Sequence, residues 1–157
     1  MTSLFKRIFG RGRRPVREVV EHPVLGRLVY SVDGDGWESE TGHSGIPFRF
    51  FIAGDLGEGP DEVVPDGTLI KHAEAIALDP TEFVARIQSF LAREAQAQSR
   101  LKGLVEEVSS LKVDAVCLMW PDRPDDGMIQ FRGPADDRRL WRCDYVQREP
   151  KWLGFDT

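Results

Sequence analysis

The sequence predicts an α+β domain: a largely antiparallel sheet of about six to eight strands with two or three central helices packed on one face. Three observations carry this. Runs of β-branched and aromatic residues fill the first and last thirds of the chain. The middle third spaces its apolar residues by three and four. Asp-Gly and Pro-containing breaks between the runs are short enough for hairpins. A chain of 157 residues forms one domain with a substantial core, and we draw it as residues 16–157 behind a basic arm, residues 1–15.

The elements follow in order. VREVVEH and LGRLVYSV read as strands, with His22-Pro23 as the break between them. VDGDGWESE supplies a hairpin turn, and Trp37 begins the returning strand. In IPFRFFIAG, Phe48, Phe50 and Ile52 share one face of a central strand. GDLGEGPDEVVPDG, with four glycines, two prolines and five carboxylates, reads as a surface loop. Asp66 or Thr68 then caps a helix whose apolar face is Leu69, Ile70, Ala73, Ile76 and Ala77. Asp79-Pro80-Thr81 ends it and starts another, carrying Phe83, Val84, Ile87, Phe90 and Leu91. REAQAQSR continues as solvated helix, and Leu101, Leu104, Val105 and Val108 restore an apolar face before Ser109-Ser110 breaks it. VDAVCLMW, MIQFRG, RRLWRCDYVQ and KWLGF close the chain as strands, separated by PDRPDDG and PADD. Alternation puts Trp141, Cys143 and Tyr145 on the core side of their strand.

Charge divides the chain in two. Lys6, Arg7, Arg11, Arg13, Arg14 and Arg17 face no acid within residues 1–17, so the net charge of −5 leaves −11 on residues 18–157. Such a body repels phosphate backbones and anionic lipid, and only the arm attracts them. Cys117 and Cys143 form no disulfide framework and read as buried reduced thiols. No apolar run reaches the roughly 20 residues of a membrane span or the about 7–15 of a signal-peptide core. The expectation is a cytoplasmic protein, with peripheral attachment to the inner membrane face through the arm as an addition.

HPVLGRLVY, the Asp-Gly turn with Trp37, FRFFIAGD, the helical pair and the closing LWRCDY…LGFD resemble small uncharacterised bacterial domains. Some of these are known as domains of unknown function, and some sit beside toxin genes in immunity-protein neighbourhoods. The resemblance covers roughly residues 19–156 and implies the same order of strands and helices. It implies no catalytic residues, and the basic arm lies outside it.

The motifs that could carry chemistry fail on their spacing. His22, His43 and His72 form no metal-ligand pair and read as turn or surface histidines. DGDGWE at 33–38 has the opening of a calcium loop, but Trp37 takes a ligand position and Ser44 stands where the twelfth-position Glu belongs. GDLGEG at 54–59 has mis-spaced glycines for a phosphate loop, and Asp55 and Glu58 repel anions. Glu149-Pro150-Lys151 has nuclease-like spacing, but Pro150 suits an edge strand or turn. Asp122, Asp125, Asp126, Asp136 and Asp137 fall in two turns. No catalytic residue, metal or cofactor is implied.

In a helix, Leu4, Phe5, Ile8 and Phe9 form one apolar face, Lys6 and Arg7 point elsewhere, and Arg11, Arg13 and Arg14 follow Gly10 and Gly12. That is the layout of a short interfacial anchor for anionic headgroups. Arg11-Gly12-Arg13 also resembles the core of an AT-hook, but Arg14 separates it from Pro15, which disfavours nucleic acid. The plain alternative is that the arm is disordered or that Phe5 and Phe9 dock on the domain's own surface, and contact with a protein partner is a further use of it. The leading expectation is a non-enzymatic interaction domain, immunity-like, binding an unidentified protein through Asp55, Glu58, Asp61, Glu62, Trp152 and Asp156. The alternatives are a membrane-associated accessory protein anchored by residues 4–14 and a hydrolase using loop carboxylates.

Overall fold

The structure, a computed structural model, describes residues 19–31, 34–56, 63–134 and 139–157. The arm residues Leu4 to Arg14, together with Glu58, Asp61, Glu62, Asp136 and Asp137, lie outside the described residues.

The architecture is a mixed α+β fold with a nine-stranded, mostly antiparallel sheet and three helices. The strands are β1 (Val19–His22), β2 (Gly26–Ser31), β3 (Gly36–Ser39), β4 (Arg49–Leu56), β5 (Val63–Pro65), β6 (Lys112–Leu118), β7 (Gly127–Arg132), β8 (Leu140–Val146) and β9 (Glu149–Asp156). The helices are α1 (Gly67–Leu78), α2 (Pro80–Ala97) and α3 (Val105–Ser110), with a 3-10 segment over Ser99–Leu104 before the last. The strand order is β1-β2-β3-β4-β6-β7-β8-β9, and β5 pairs with the end of β4. Two antiparallel meanders thus meet at one parallel pair, β4 with β6.

The parallel pair follows from the connection. The chain leaves β4, passes through β5 and all three helices, and must begin β6 at the end where β4 began, as a parallel crossover requires. β5 corrects one expectation. The stretch from Gly54 to Gly67 is not wholly loop, because Val63, Val64 and Pro65 pair back on Leu56, Asp55 and Gly54. The apolar Val63-Val64 pair inside an acidic, glycine-rich stretch was the available signal.

Local chemistry sets the helix ends. Asp66 Oδ1 accepts from Thr68 N and Leu69 N, both at 3.0 Å, so Asp66 rather than Thr68 is the cap of α1. Asp79 Oδ1 accepts from Glu82 N at 3.0 Å, and Pro80 occupies the first turn of α2. Helix persists through Ser109 and Ser110 and stops at Leu111, where the backbone becomes extended.

The core lies between one sheet face and the helices. Phe48, Phe50, Ile52, Trp141, Cys143 and Tyr145 are buried there against Leu69, Phe83, Ile87 and Leu91. Trp141 Nε1 donates to Glu107 Oε1 at 2.7 Å, and Arg139 donates to Glu107 Oε2 at 2.9 Å, tying α3 to β8. His22 is the last residue of β1, at the break its Pro23 neighbour suggested. Its Nδ1 accepts from Val24 N and Leu25 N, which places the proton on Nε2 for donation to Glu74 Oε1 at 2.8 Å.

Candidate functional site

Three regions bring chemistry-bearing side chains together. The first is the sheet face turned away from the helices. Paired residues form an unbroken row across it: Val19, Val29, Glu38, Phe51, Cys117 and Met128. Cross-strand partners share a face, so the whole row looks away from the core. A trough of about 310 Å³ runs along the row, floored by Phe51, Ala115, Cys117 and Met128 and closed by Met119 and Gly34. Beside it, Arg49 donates to Asp114 Oδ2 at 3.0 Å, with Glu38 and Arg132 completing a ladder at 3.8 and 3.7 Å. Asp114 reaches that ladder because it is the extra residue of a bulge between Val113 and Ala115.

Cys117 is buried in this trough and Cys143 in the core, so the two thiols lie on opposite sheet faces and are unpaired. Burial pushes each thiol up to about 12, far from the range of a nucleophilic thiolate. The trough was missed by the sequence reading. The signal was Phe51, an aromatic on the alternate face from Phe48, Phe50 and Ile52.

The second region is the end of the sheet where β4 and β6 terminate. The β8–β9 hairpin turns there through Gln147 and Arg148, both at positive φ. Arg148 Nε donates to Asp125 Oδ1 at 2.6 Å, Gln147 N to Asp126 Oδ1 at 2.9 Å, and Arg86 Nη2 to Arg148 O at 2.7 Å. Beneath sits His72, buried, with neither ring nitrogen hydrogen-bonded. Its Nδ1 is 3.5 Å from Asp125 Oδ1, an ion-pair approach without a hydrogen bond's contact. Burial holds the His72 pKa down, Arg148 adds to this, and Asp125 opposes it. The reading of His72 as a turn or surface residue is therefore corrected: it sits on the apolar face of α1, against the Tyr145 ring. The hydrogen bond from Arg148 lowers the Asp125 pKa, opposite to the raised value of a carboxyl general acid. Among the described residues no group of three or more His, Cys, Asp or Glu side chains could hold a metal ion.

The third region is the β9 edge. β9 ends the strand order, as Pro150 within it implied. Register slips between Arg142 and Asp144 on β8, where β9 carries an extra residue. Trp152 stands at that slip with φ +54° and is 67% exposed. Arg100 donates to Leu153 O beneath it, and Arg142 pairs with the exposed Asp156 at 3.0 Å. A shallow recess of about 440 Å³ lies between Arg100, Arg142, Trp152 and Asp156.

Of the surface residues named from sequence, Trp152 and Asp156 share this edge. Asp55 does not join them. It lies near the far end of β4, four strand positions away in the sheet order. No protein family, no curated protein and no solved structure matches the chain.

Proposed function

We propose that the domain is a non-enzymatic interaction module that binds a protein partner through the β9 edge, with Trp152 as its anchor. The observation that supports this reading is the backbone at Trp152. A bulky residue at positive φ costs roughly 1–2 kcal/mol, and an exposed indole returns little of that in the free protein. Exposed aromatics seated in partner sockets are the residues that dominate interface energies. The bulge also keeps β9 from simple edge-to-edge pairing, which favours a side-chain anchor over strand addition. Arg142, Asp156 and Arg100 around the indole suit a polar rim. An immunity-like role, with a toxin as the partner, fits this surface and the resemblance of the chain to domains from such neighbourhoods.

The test is a photoreactive probe at position 152 of the full chain, followed by purification of the captured protein. Its affinity for the wild-type chain and for Trp152→Ala is then measured. The reading expects a loss of at least about tenfold for a hot-spot residue. Equal binding by Trp152→Ala, with its fold unchanged by circular dichroism, would refute it.

A further inference from the structure

We propose that His72 and Arg148 compete for the Asp125 carboxylate and so form an acid-operated latch on the β8–β9 hairpin: protonation of His72 moves the carboxylate from the guanidinium to the imidazolium and releases the turn at Gln147 and Arg148. The latch works in the free protein and involves neither Trp152 nor the recess beside it, so it and the partner reading can fail separately.

A single oxygen is contested. Arg148 Nε donates to Asp125 Oδ1 at 2.6 Å, and His72 Nδ1 stands 3.5 Å from the same atom. That gap is too long for a good hydrogen bond and short enough to close by a small rotation of the carboxylate. Both ring nitrogens of His72 are buried without a hydrogen bond, which is the exception for polar atoms inside a fold. A neutral ring tolerates this, whereas a buried imidazolium needs a charged acceptor, and Asp125 is the carboxylate within reach.

Exposure decides which cation keeps it. The His72 side chain is 3% exposed and that of Arg148 is 58% exposed. A surface guanidinium exchanges a carboxylate for water at little cost. An imidazolium beneath the hairpin has no water to turn to, so the same carboxylate is worth far more to it. Once both are charged they also repel each other across one oxygen, and the long Arg148 side chain is the one free to leave.

The groups facing the ring are Asp125 from the turn before β7, Arg148 from the hairpin and Tyr145 from β8. The charges of Arg86 on α2 and Glu149 on β9 reach the Tyr145 hydroxyl behind it. On α1 itself, Lys71 is exposed and Glu74 is held by His22. Burial and Arg148 favour the neutral ring, and Asp125 favours its charge.

The turn is the part of the fold that depends on the contested bond. Gln147 and Arg148 lie at φ +51° and +66° with no glycine, a conformation that side chains disfavour. Besides the guanidinium contact, Arg148 N donates to the Asp125 carbonyl and Gln147 N to Asp126 Oδ1, both at 2.9 Å. All three acceptors sit on Asp125 and Asp126, so a carboxylate that swings inward towards α1 disturbs the whole set. Arg86 still holds the Arg148 carbonyl at 2.7 Å, so the tip loosens while β9 stays paired.

The test is an NMR titration of the isotope-labelled full chain from about pH 7.5 to about pH 5, the range in which histidine changes charge. The expected result is one midpoint, below about 6.5, shared by the His72 ring carbons, the Arg148 Nε–H signal and the Gln147 and Arg148 amides. On the acid side the Nε–H signal is lost to solvent exchange, and the two amides exchange at least about fivefold faster relative to their intrinsic rates. Arg148→Ala, a change at an exposed side chain, leaves Asp125 to the ring and should move the His72 midpoint to higher pH, whereas Asp125→Asn should move it lower. In His72→Gln the Arg148 signal should persist across the whole range. A ring that titrates while the Arg148 and Gln147 signals stay in place would overturn the proposal. So would a ring that stays neutral until the domain unfolds in acid, the same loss of the Arg148 signal in His72→Gln, or an unmoved His72 midpoint in Arg148→Ala.

Discussion

Arg148 grips Asp125 twice: its Nε donates to Oδ1 at 2.6 Å and its backbone N donates to the Asp125 carbonyl at 2.9 Å. This clamp holds a two-residue hairpin in a geometry that usually calls for Asn-Gly. Gln147 and Arg148 lie at φ +51° and +66° without a glycine between them. Removing the side-chain half with Asp125→Ala should cost about 1 kcal/mol, the upper range for an exposed pair. Adding Asn-Gly at 147–148 to that variant should restore the loss, since the turn then needs no outside support. Urea unfolding checks both. Failure of Asn-Gly to recover stability would show that the clamp does not act through the turn.

The pH dependence of stability should carry the mark of His72. Its pKa in the fold is below the unfolded value of about 6.5, so the unfolded chain takes up more protons as pH falls. Stability is full above about pH 6.5 and declines as pH drops towards the folded pKa. Asp125, Arg148 and Tyr145 are the titratable or charged groups facing the ring. His72→Leu should flatten the stability profile between about pH 7 and pH 5. At pH 7 it should cost little, because it also removes two buried nitrogens that make no hydrogen bond. The lowered Asp125 pKa adds a separate decline below about pH 4, which His72→Leu should leave in place.

Trp152→Gly should leave the free protein as stable as wild type or more stable by up to about 1 kcal/mol, as left-handed backbone suits glycine. Chemical denaturation measures this. A marked loss of stability would mean that the indole serves the fold itself, and the partner reading would lose its support.

Glu107→Ala should destabilise by about 2–3 kcal/mol, because it strands the buried Trp141 indole N–H and frees Arg139. Glu107→Gln keeps one acceptor and should retain more than half of that. Thermal unfolding of the two variants side by side decides the matter.

Much of the domain was legible in the chain itself. Asp66 and Asp79 cap their helices because a carboxylate three residues before a free amide suffices, and both partners are local in sequence. Trp141, Cys143 and Tyr145 point inward because alternation along a strand has only two outcomes. Harder to read were contacts whose partners lie far apart. Nothing near His72 announces Asp125, fifty-three positions on, and the left-handed turn at Gln147 carries no glycine to reveal it.

Residue type and spacing were enough to establish the two-part charge, the α+β class, the starts of the two long helices and the inward faces, since these depend on neighbours within a few positions. Long-range pairing decided the rest: the parallel join of β4 to β6, the trough behind Phe51, and the bulge that presents Trp152. Each of these arises where strands distant in the chain come into register. Period-two alternation assigns a side chain to a face but is silent about which strand lies beside it.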